Sequence, residues 1–115
     1  MKYTDTHEWV SVSCAIGTVG ITHYAQKELG EIVYVDLPKV GSQVKAGQEA
    51  LVLESTKAAA DSYAPVSGEV TAVNHNLSAL NADPESSGWL YQVRLTNLAE
   101  LEPLLDYPAY LQLIS

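Results

Sequence analysis

The sequence predicts a mostly β protein with a few short helices, and two patterns in it support this. Runs such as HEWVSV, EIVYVDL and WLYQVRL are rich in β-branched and aromatic residues, and several of them alternate, which is typical of strands. Turn-forming stretches such as PKVGSQVKAGQ separate these runs. At 115 residues, 47% of them apolar, the chain can bury one modest core, so we expect a single domain over residues 1–115.

The first half of the chain alternates strand patterns with one helix. HEWVSV and CAIGTVG both favour strands, and Cys14 is interpreted as a small buried or half-buried residue beside the second one. THYAQKELG predicts a short helix near 22–29, capped by Thr22 at its start and by Gly30 at its end. EIVYVDL, after Gly30, is a clear strand pattern.

Residues 48–63 allow two interpretations. Their helix propensity is good throughout, and Ala58–Ala60 are the best helix formers available, so propensity alone predicts a helix. The continuous apolar run LVL also suits a buried strand. Gly47 lies ten residues before Lys57 and Gly68 lies eleven after it, each next to a β-rich run. That near-symmetry favours a hairpin with Lys57 at its tip.

The second half continues with the strand patterns GEVTAV and WLYQVRL and ends in helical ones. NLAELEPLLD predicts a surface helix with Asn97 as its N-cap and four leucines on one face, namely Leu98, Leu101, Leu104 and Leu105. PAYLQLI predicts a last helical turn or two that folds back on the protein.

The composition excludes several classes of function. A formal charge of −8 makes nucleic acid and anionic membranes poor partners and favours partners with basic docking faces, unless the charge only keeps the domain soluble. The start of the chain has no apolar signal sequence, and no stretch is long enough to span a bilayer. With a single cysteine, these features lead us to expect a cytoplasmic protein.

No catalytic or metal-binding pattern stands out. The three histidines are scattered, so we predict no metal site. No phosphate-binding loop, nucleophile elbow or cysteine and histidine cluster occurs, so we predict that the chain is not an enzyme.

Six blocks of sequence, in this order, resemble a known family. They are HEWV, TVGITHYAQKELGEIVYVDLP, VGSQVKAGQ, ESTKAAADSYAPVSGEV, GWLYQV and a leucine-rich carboxyl end. Together they resemble the H protein family of the glycine cleavage system over nearly the whole chain. The resemblance implies a flattened β-sandwich, a barrel-sandwich hybrid of the biotinyl/lipoyl type, with added helices. Its central lipoyl-type hairpin would span about residues 31–73.

The resemblance also implies a covalent lipoyl group on Lys57. The family's ES-x-KA pattern is Glu54-Ser55-Thr56-Lys57-Ala58 here, and we interpret the four residues around Lys57 as recognition residues for a lipoate ligase or lipoyltransferase. Small neighbours suit a lysine that must enter another enzyme's active site. Biotinyl domains normally carry methionines beside their lysine, whereas the only methionine here is Met1, so lipoate is favoured over biotin.

The family's cycle implies three further partners for a carrier that we expect to be monomeric. A pyridoxal-phosphate glycine decarboxylase loads an aminomethyl group onto the arm, an aminomethyltransferase removes it, and dihydrolipoyl dehydrogenase reoxidises the dithiol. Between the first two partners the arm folds into a cleft that protects it from water. Candidate cleft residues are Glu8, Glu28 and Asp61, and the alternative for Glu8 and Asp61 is an ordinary solvated acid.

Two other functions stay open at this point. Residues 74–89 form a shorter segment than is usual in the family, and Glu28 stands where some relatives have a histidine, so docking of the glycine cleavage partners is less certain than modification of Lys57. The chain could therefore be an H-like lipoyl protein that acts in lipoate relay, or as a ligase substrate, outside glycine cleavage. It could also be an unmodified lipoyl-like domain that only binds a partner.

Overall fold

Two antiparallel β-sheets form the body of the protein, as a computed structural model describing residues 1–115 shows. The nine strands are β1 (Lys2–Tyr3), β2 (Glu8–Ser13), β3 (Ile16–Ile21), β4 (Ile32–Asp36), β5 (Gln43–Val44), β6 (Glu49–Ser55), β7 (Ala59–Tyr63), β8 (Gly68–Val73) and β9 (Tyr91–Leu95). The helices are α1 (His23–Leu29), α2 (Leu77–Ala82), a 3-10 helix (Leu98–Leu101) and α3 (Tyr107–Ile114). The predicted mostly β sandwich with short helices is confirmed.

The two sheets differ in size. One has six strands in the order β1-β2-β3-β9-β8-β5, and the other has three in the order β4-β6-β7. Buried side chains from both sheets form one apolar cluster of 14 residues, including Val10 and Val93 from the large sheet and Ile32 and Leu53 from the small one. Burial of this cluster supplies the main driving force for folding.

The three-stranded sheet settles the ambiguity at residues 48–63. The segment forms the hairpin β6–β7, not a helix, and Leu53 pairs with Ala60 while Glu54 pairs with Ala59. Gly47 enters the hairpin with φ +82°, a left-handed conformation that glycine adopts without strain. Gly47 lies at the base of the hairpin, where its N–H donates to the Ala64 carbonyl, whereas Gly68 begins the next strand, β8, in the six-stranded sheet.

Helix α1 also forms where it was predicted. The Thr22 hydroxyl accepts a hydrogen bond from the Ala25 N–H, and Gly30 ends the helix with φ +85° and donates its N–H to the Gln26 carbonyl. None of the protein's helices has the length and the apolar content that crossing a membrane requires.

Three expectations from the sequence were wrong or incomplete. Cys14 is not buried: it is exposed in the β2–β3 turn, where its φ is +52°. The leucine-rich segment forms only one 3-10 turn after the correctly predicted Asn97 cap, and Leu98 is 57% exposed. Helix α2 was not predicted at all. The closing segment does form a helix, α3, whose Tyr110 is buried.

Candidate functional site

The tip of the β6–β7 hairpin is shaped by one serine. The Ser55 hydroxyl oxygen accepts hydrogen bonds from the backbone N–H groups of Lys57 and Ala58, both at 3.1 Å, and its O–H donates to the Ala58 carbonyl at 3.1 Å. These bonds satisfy the amides of a turn that has no strand partner. The turn leaves Thr56, Lys57 and Ala58 exposed, so the lysine projects from a tip with small neighbours.

The tip also contacts the end of α1. The Thr56 N–H donates to the Glu31 carbonyl at 3.0 Å. A β-carbon placed on Gly30 would lie 3.1 Å from Lys57 Cε and 3.8 Å from Lys57 Nζ, so the lysine side chain passes directly over this glycine. The lysine is thus exposed, but it lies against the helix end.

A cleft of about 340 Å³ lies beside the hairpin, between α1 and the strands. We call it the Glu8 cleft; its lining is Thr6, His7, Glu8, Ile21, Tyr24, Ala25, Glu28, Leu29, Leu53, Ala60, Asp61 and Ser62. The structure therefore brings together Glu8, Glu28 and Asp61, which the sequence placed far apart. Glu28 and Asp61 are exposed at the cleft, whereas Glu8 is buried.

Glu8 is the unusual member of this set. It is only 2% exposed, and its carboxylate accepts hydrogen bonds from the Thr4 and Thr6 hydroxyls and from the Ser62 hydroxyl and the Tyr63 N–H. No basic side chain lies within ion-pair distance of it, since the one salt bridge of the chain joins Arg94 to Glu69. Glu8 is not an ordinary solvated acid.

Burial raises the pKa of Glu8 above its usual value of 4.5, although the surrounding donors act in the opposite direction. Glu8 also affects a residue of the core. The pKa of the Tyr91 phenol is raised mainly by burial and in addition by the nearby Glu8 carboxylate. The Tyr91 hydroxyl is buried without a hydrogen-bond partner. A buried carboxylate with hydrogen bonds but no counter-ion is well suited to a cation that enters from outside.

The aromatic wall of the cleft was missed by the sequence analysis. The His7 ring lies 4.7 Å from the Tyr24 ring, and His7 Nδ1 is 2.8 Å from the Tyr110 hydroxyl on α3. The same hydroxyl lies 2.7 Å from Thr22 Oγ1. Tyr24 and Glu28 are four residues apart on α1, and that spacing could have indicated that they share a face.

Glu54 is separate from the cleft. It pairs with Tyr34 on one side and Ala59 on the other, and its side chain is exposed. It does not line the Glu8 cleft. A second groove, of about 750 Å³, also reaches Thr6 and Glu8 but extends to Tyr63, Pro65 and Leu105, away from the tip. Its larger volume does not make it the better candidate, because Lys57 lies against Gly30, the residue that follows Leu29 in the wall of the Glu8 cleft.

A β-sandwich that displays one lysine at a narrow hairpin tip has the architecture of lipoyl-type and biotinyl-type carrier domains. Comparison with known proteins narrows this class. The family profile described as "Glycine cleavage H-protein" matches residues 1–115, and the chain belongs to that family.

Individual relatives agree over nearly the full length. The chain is 52% identical over 113 residues to a glycine cleavage system H protein of Thermotoga maritima, covering 95% of this chain and 91% of that one. It is 51% identical over 116 residues to the corresponding protein of Methylacidiphilum infernorum, covering 97% and 91%. A crystal structure of a glycine cleavage system H protein from Mycobacterium marinum matches with a TM-score of 0.84 at 36% identity, covering 96% of this chain and 93% of that one.

Proposed function

We propose that the protein is a lipoyl carrier of glycine cleavage and that Lys57 bears the lipoyl group. In this role it would receive the aminomethyl group of glycine at the pyridoxal-phosphate decarboxylase and deliver it to the aminomethyltransferase. Family membership supports the carrier role. The observation that carries the assignment to Lys57 is the exposed lysine at the hairpin tip, which has small neighbours and an acid-lined cleft beside it.

The tip fits an enzyme that must enclose the lysine. Thr56 and Ala58 are small, and Ser55 holds the turn through three hydrogen bonds, so the lysine is presented on a defined backbone. Glu54 is exposed on β6, three residues from Lys57, where a ligase could contact it. The lysine amine must lose its proton to attack an activated acyl group, and we assign that step to the lipoate ligase or lipoyltransferase.

The cleft fits a cationic arm. When attached, the oxidised lipoyl group would supply a disulfide: one sulfur would take the aminomethyl group as the S–S bond breaks, and the other would become a thiol. The dithiol left after the group is delivered would be reoxidised to the disulfide by the dihydrolipoyl dehydrogenase. Glu8 would hold the ammonium, because its buried charge has hydrogen-bond donors but no cation. Glu28 and Asp61 would raise the local negative potential at the rim, and the apolar Leu29 and Leu53 would exclude water.

The rest of the cycle follows from this assignment. The chain would act as a non-catalytic subunit, and the dihydrolipoyl dehydrogenase would be its third partner. We further propose a monomeric, cytoplasmic protein with one domain over residues 1–115 and a lipoyl-type hairpin region at about 31–73. The acidic surface, with a net charge of −8, would dock onto basic faces of the enzymes.

Intact mass tests the attachment site. Expressed with lipoate and an active lipoate ligase, the protein should gain about 188 Da, the mass of one lipoyl amide. Lys57→Ala should abolish the gain, and Lys45→Ala, which removes another exposed lysine, should not. An unmodified wild-type protein would instead support a domain that only binds a partner.

Turnover then tests the pathway. The lipoylated protein, supplied with glycine, the decarboxylase and the aminomethyltransferase with its folate acceptor, should support release of carbon dioxide from glycine. A fully modified protein that gives no turnover would reject the shuttle and point to lipoate relay outside glycine cleavage.

A further inference from the structure

Gly30 lies under the lysine that the proposed function depends on. Its φ of +85° and ψ of −158° belong to a region of backbone space that is essentially restricted to glycine. A β-carbon there would lie 3.1 Å from Lys57 Cε, which is closer than two carbon atoms normally pack. The position therefore lacks a side chain where the lysine side chain needs the space.

Hydrogen bonds hold the hairpin tip and the end of α1 close together. The Thr56 N–H donates to the Glu31 carbonyl at 3.0 Å, which fixes the hairpin tip against the residue after Gly30. The Gln26 side-chain amide donates to the Gly30 carbonyl at 3.2 Å, which fixes the helix end itself. These bonds fix the backbone of the tip beside the helix end, and the Lys57 side chain lies across Gly30.

We propose that Gly30 is a positioning residue for the Lys57 side chain and, once Lys57 is modified, for the arm it carries. Glu28 and Leu29, immediately before Gly30, line the Glu8 cleft, and so do Ala60 and Asp61 shortly after Lys57. Lys57 crosses Gly30 between the chain segments that form these two walls, so an arm extended from its amine would enter the gap between them. This inference rests on the proposed function for the arm, but not for the unmodified lysine.

The charge of the lysine changes along this route. The free Lys57 ammonium lies near the carboxyl end of α1, where the last carbonyl groups carry partial negative charge. Acylation turns the ammonium into a neutral amide and removes that attraction. The helix end therefore attracts the free ammonium towards Gly30, and the acylated side chain, which lacks that attraction, is freer to move past Gly30 towards Glu8.

An alternative is that Gly30 serves only as a helix cap that needs a positive φ. Gly47 separates the two explanations. Its φ of +82° is nearly the same, but a β-carbon on Gly47 would meet no atom within 4 Å. Gly30→Ala and Gly47→Ala both strain a left-handed residue, whereas only Gly30→Ala obstructs Lys57.

Two measurements test the proposal. In the unmodified wild-type protein, NMR should give a nuclear Overhauser effect between the Lys57 ε-protons and a Gly30 α-proton. In the lipoylated proteins, Gly30→Ala should shorten the half-life of the aminomethyl-loaded arm against hydrolysis by roughly threefold to tenfold, since an off-rotamer side chain changes a population by about that factor. Gly47→Ala should leave the half-life unchanged, and intact mass should show full modification of all three proteins.

The outcomes are distinct. Equal half-lives for wild type and Gly30→Ala, or the absence of the Overhauser effect, would overturn the positioning role. If Gly30→Ala does not fold, the Overhauser effect in the wild type decides alone. A wild type that shows the Overhauser effect but accepts no lipoate would reject the proposed function while keeping the lysine positioned on Gly30.

Discussion

At the scale of single residues, Glu8 shows how a buried charge can be retained. The residue is 2% exposed, and its carboxylate has four hydrogen-bond donors but no cation. The donors offset only part of the lost hydration, so the pKa of Glu8 is raised by burial. The folded protein consequently binds a proton at Glu8 more tightly than the unfolded chain does.

Glu8→Gln should therefore change how stability depends on pH. Because the folded pKa of Glu8 is raised, its protonated form favours folding below the unfolded value of about 4.5, and this stability is lost as pH rises through the folded pKa. Glutamine does not titrate, so the free energy of unfolding of the variant should rise relative to wild type as pH increases over that window. Urea denaturation at a series of pH values measures the difference.

Glu28→Gln is the matched control for this prediction. Glu28 lines the same cleft but is exposed, so its replacement corrects for the change in net charge. A relative stability of Glu8→Gln that falls with rising pH, or that runs parallel to the Glu28→Gln control, would contradict a proton held by burial.

The sequence predicted three acids of the cleft but not its other walls. Glu8 and Asp61 were found through motifs that surround them, and Glu28 through its helix position. His7 and Ser62 lie in the same cleft but carry no local signal, because their proximity depends on how the start of β2 and strand β7 pack against α1. The Glu8 carboxylate also accepts hydrogen bonds from Thr4 and Tyr63, which lie far apart in the sequence.

At the scale of elements, the hairpin shows where propensity fails. Ala58–Ala60 favour a helix locally, yet Ala59 and Ala60 pair with β6 because Leu51 and Leu53 become buried only in that arrangement. The signal that predicted the hairpin was the spacing of Gly47 and Gly68 around Lys57. Burial of these two leucines in the sheet thus outweighed helix propensity at this position.

Ala58→Trp should distinguish the access of a ligase to Lys57 from the stability of the hairpin tip. Ala58 is exposed and contributes its backbone N–H and carbonyl to Ser55, so its side chain can be enlarged at a cost of about 0.5 kcal/mol or less. A tryptophan beside Lys57 should nevertheless slow lipoylation strongly by obstructing the ligase. Rates from intact mass and free energies from denaturation measure the two effects.

Ala99→Trp, at an exposed alanine of the 3-10 helix, is the control for the added bulk. It should be lipoylated at the wild-type rate. If Ala58→Trp is lipoylated equally fast, small neighbours are not what makes Lys57 available.

The missed elements have physical reasons as well. Helix α2 is only six residues long, with caps at Asn76 and Asp83. It is held through buried Leu80 and by Asn81, whose side-chain amide bonds both the N–H and the carbonyl of Ile32. That bond replaces a strand partner at the open edge of β4 and is not visible in sequence. The predicted leucine helix fails because Leu98 finds no core to cover it.

At the scale of the whole molecule, the carboxyl end is part of the cleft's support. Tyr110 on α3 stacks on Tyr3 with ring centroids 4.8 Å apart, and its hydroxyl lies within hydrogen-bond distance of both His7 and Thr22. Thr22 caps α1, and His7 lines the Glu8 cleft. One phenol therefore connects the last helix, the helix that borders Lys57 and the wall of the cleft.

Tyr110→Phe should weaken this connection while keeping the packing. The ring and its stacking on Tyr3 stay, but the two hydrogen bonds to His7 and Thr22 are lost inside the protein. We expect the free energy of unfolding to fall by about 1–3 kcal/mol, because a buried partner is left unsatisfied. Calorimetry measures the loss. In the lipoylated protein, the aminomethyl-loaded arm should also hydrolyse faster, since His7 is no longer fixed.

Tyr107→Phe is the matched control, because Tyr107 lies on the same helix near the same Tyr3 ring but is 53% exposed. It should leave both stability and hydrolysis close to wild type. If Tyr110→Phe loses stability yet protects the arm as well as wild type does, the Tyr110 hydroxyl contributes to stability only and not to protection of the arm. Loss of both would mean that the carboxyl-terminal helix, 50 residues or more from Lys57 in sequence, sets how tightly the cleft closes.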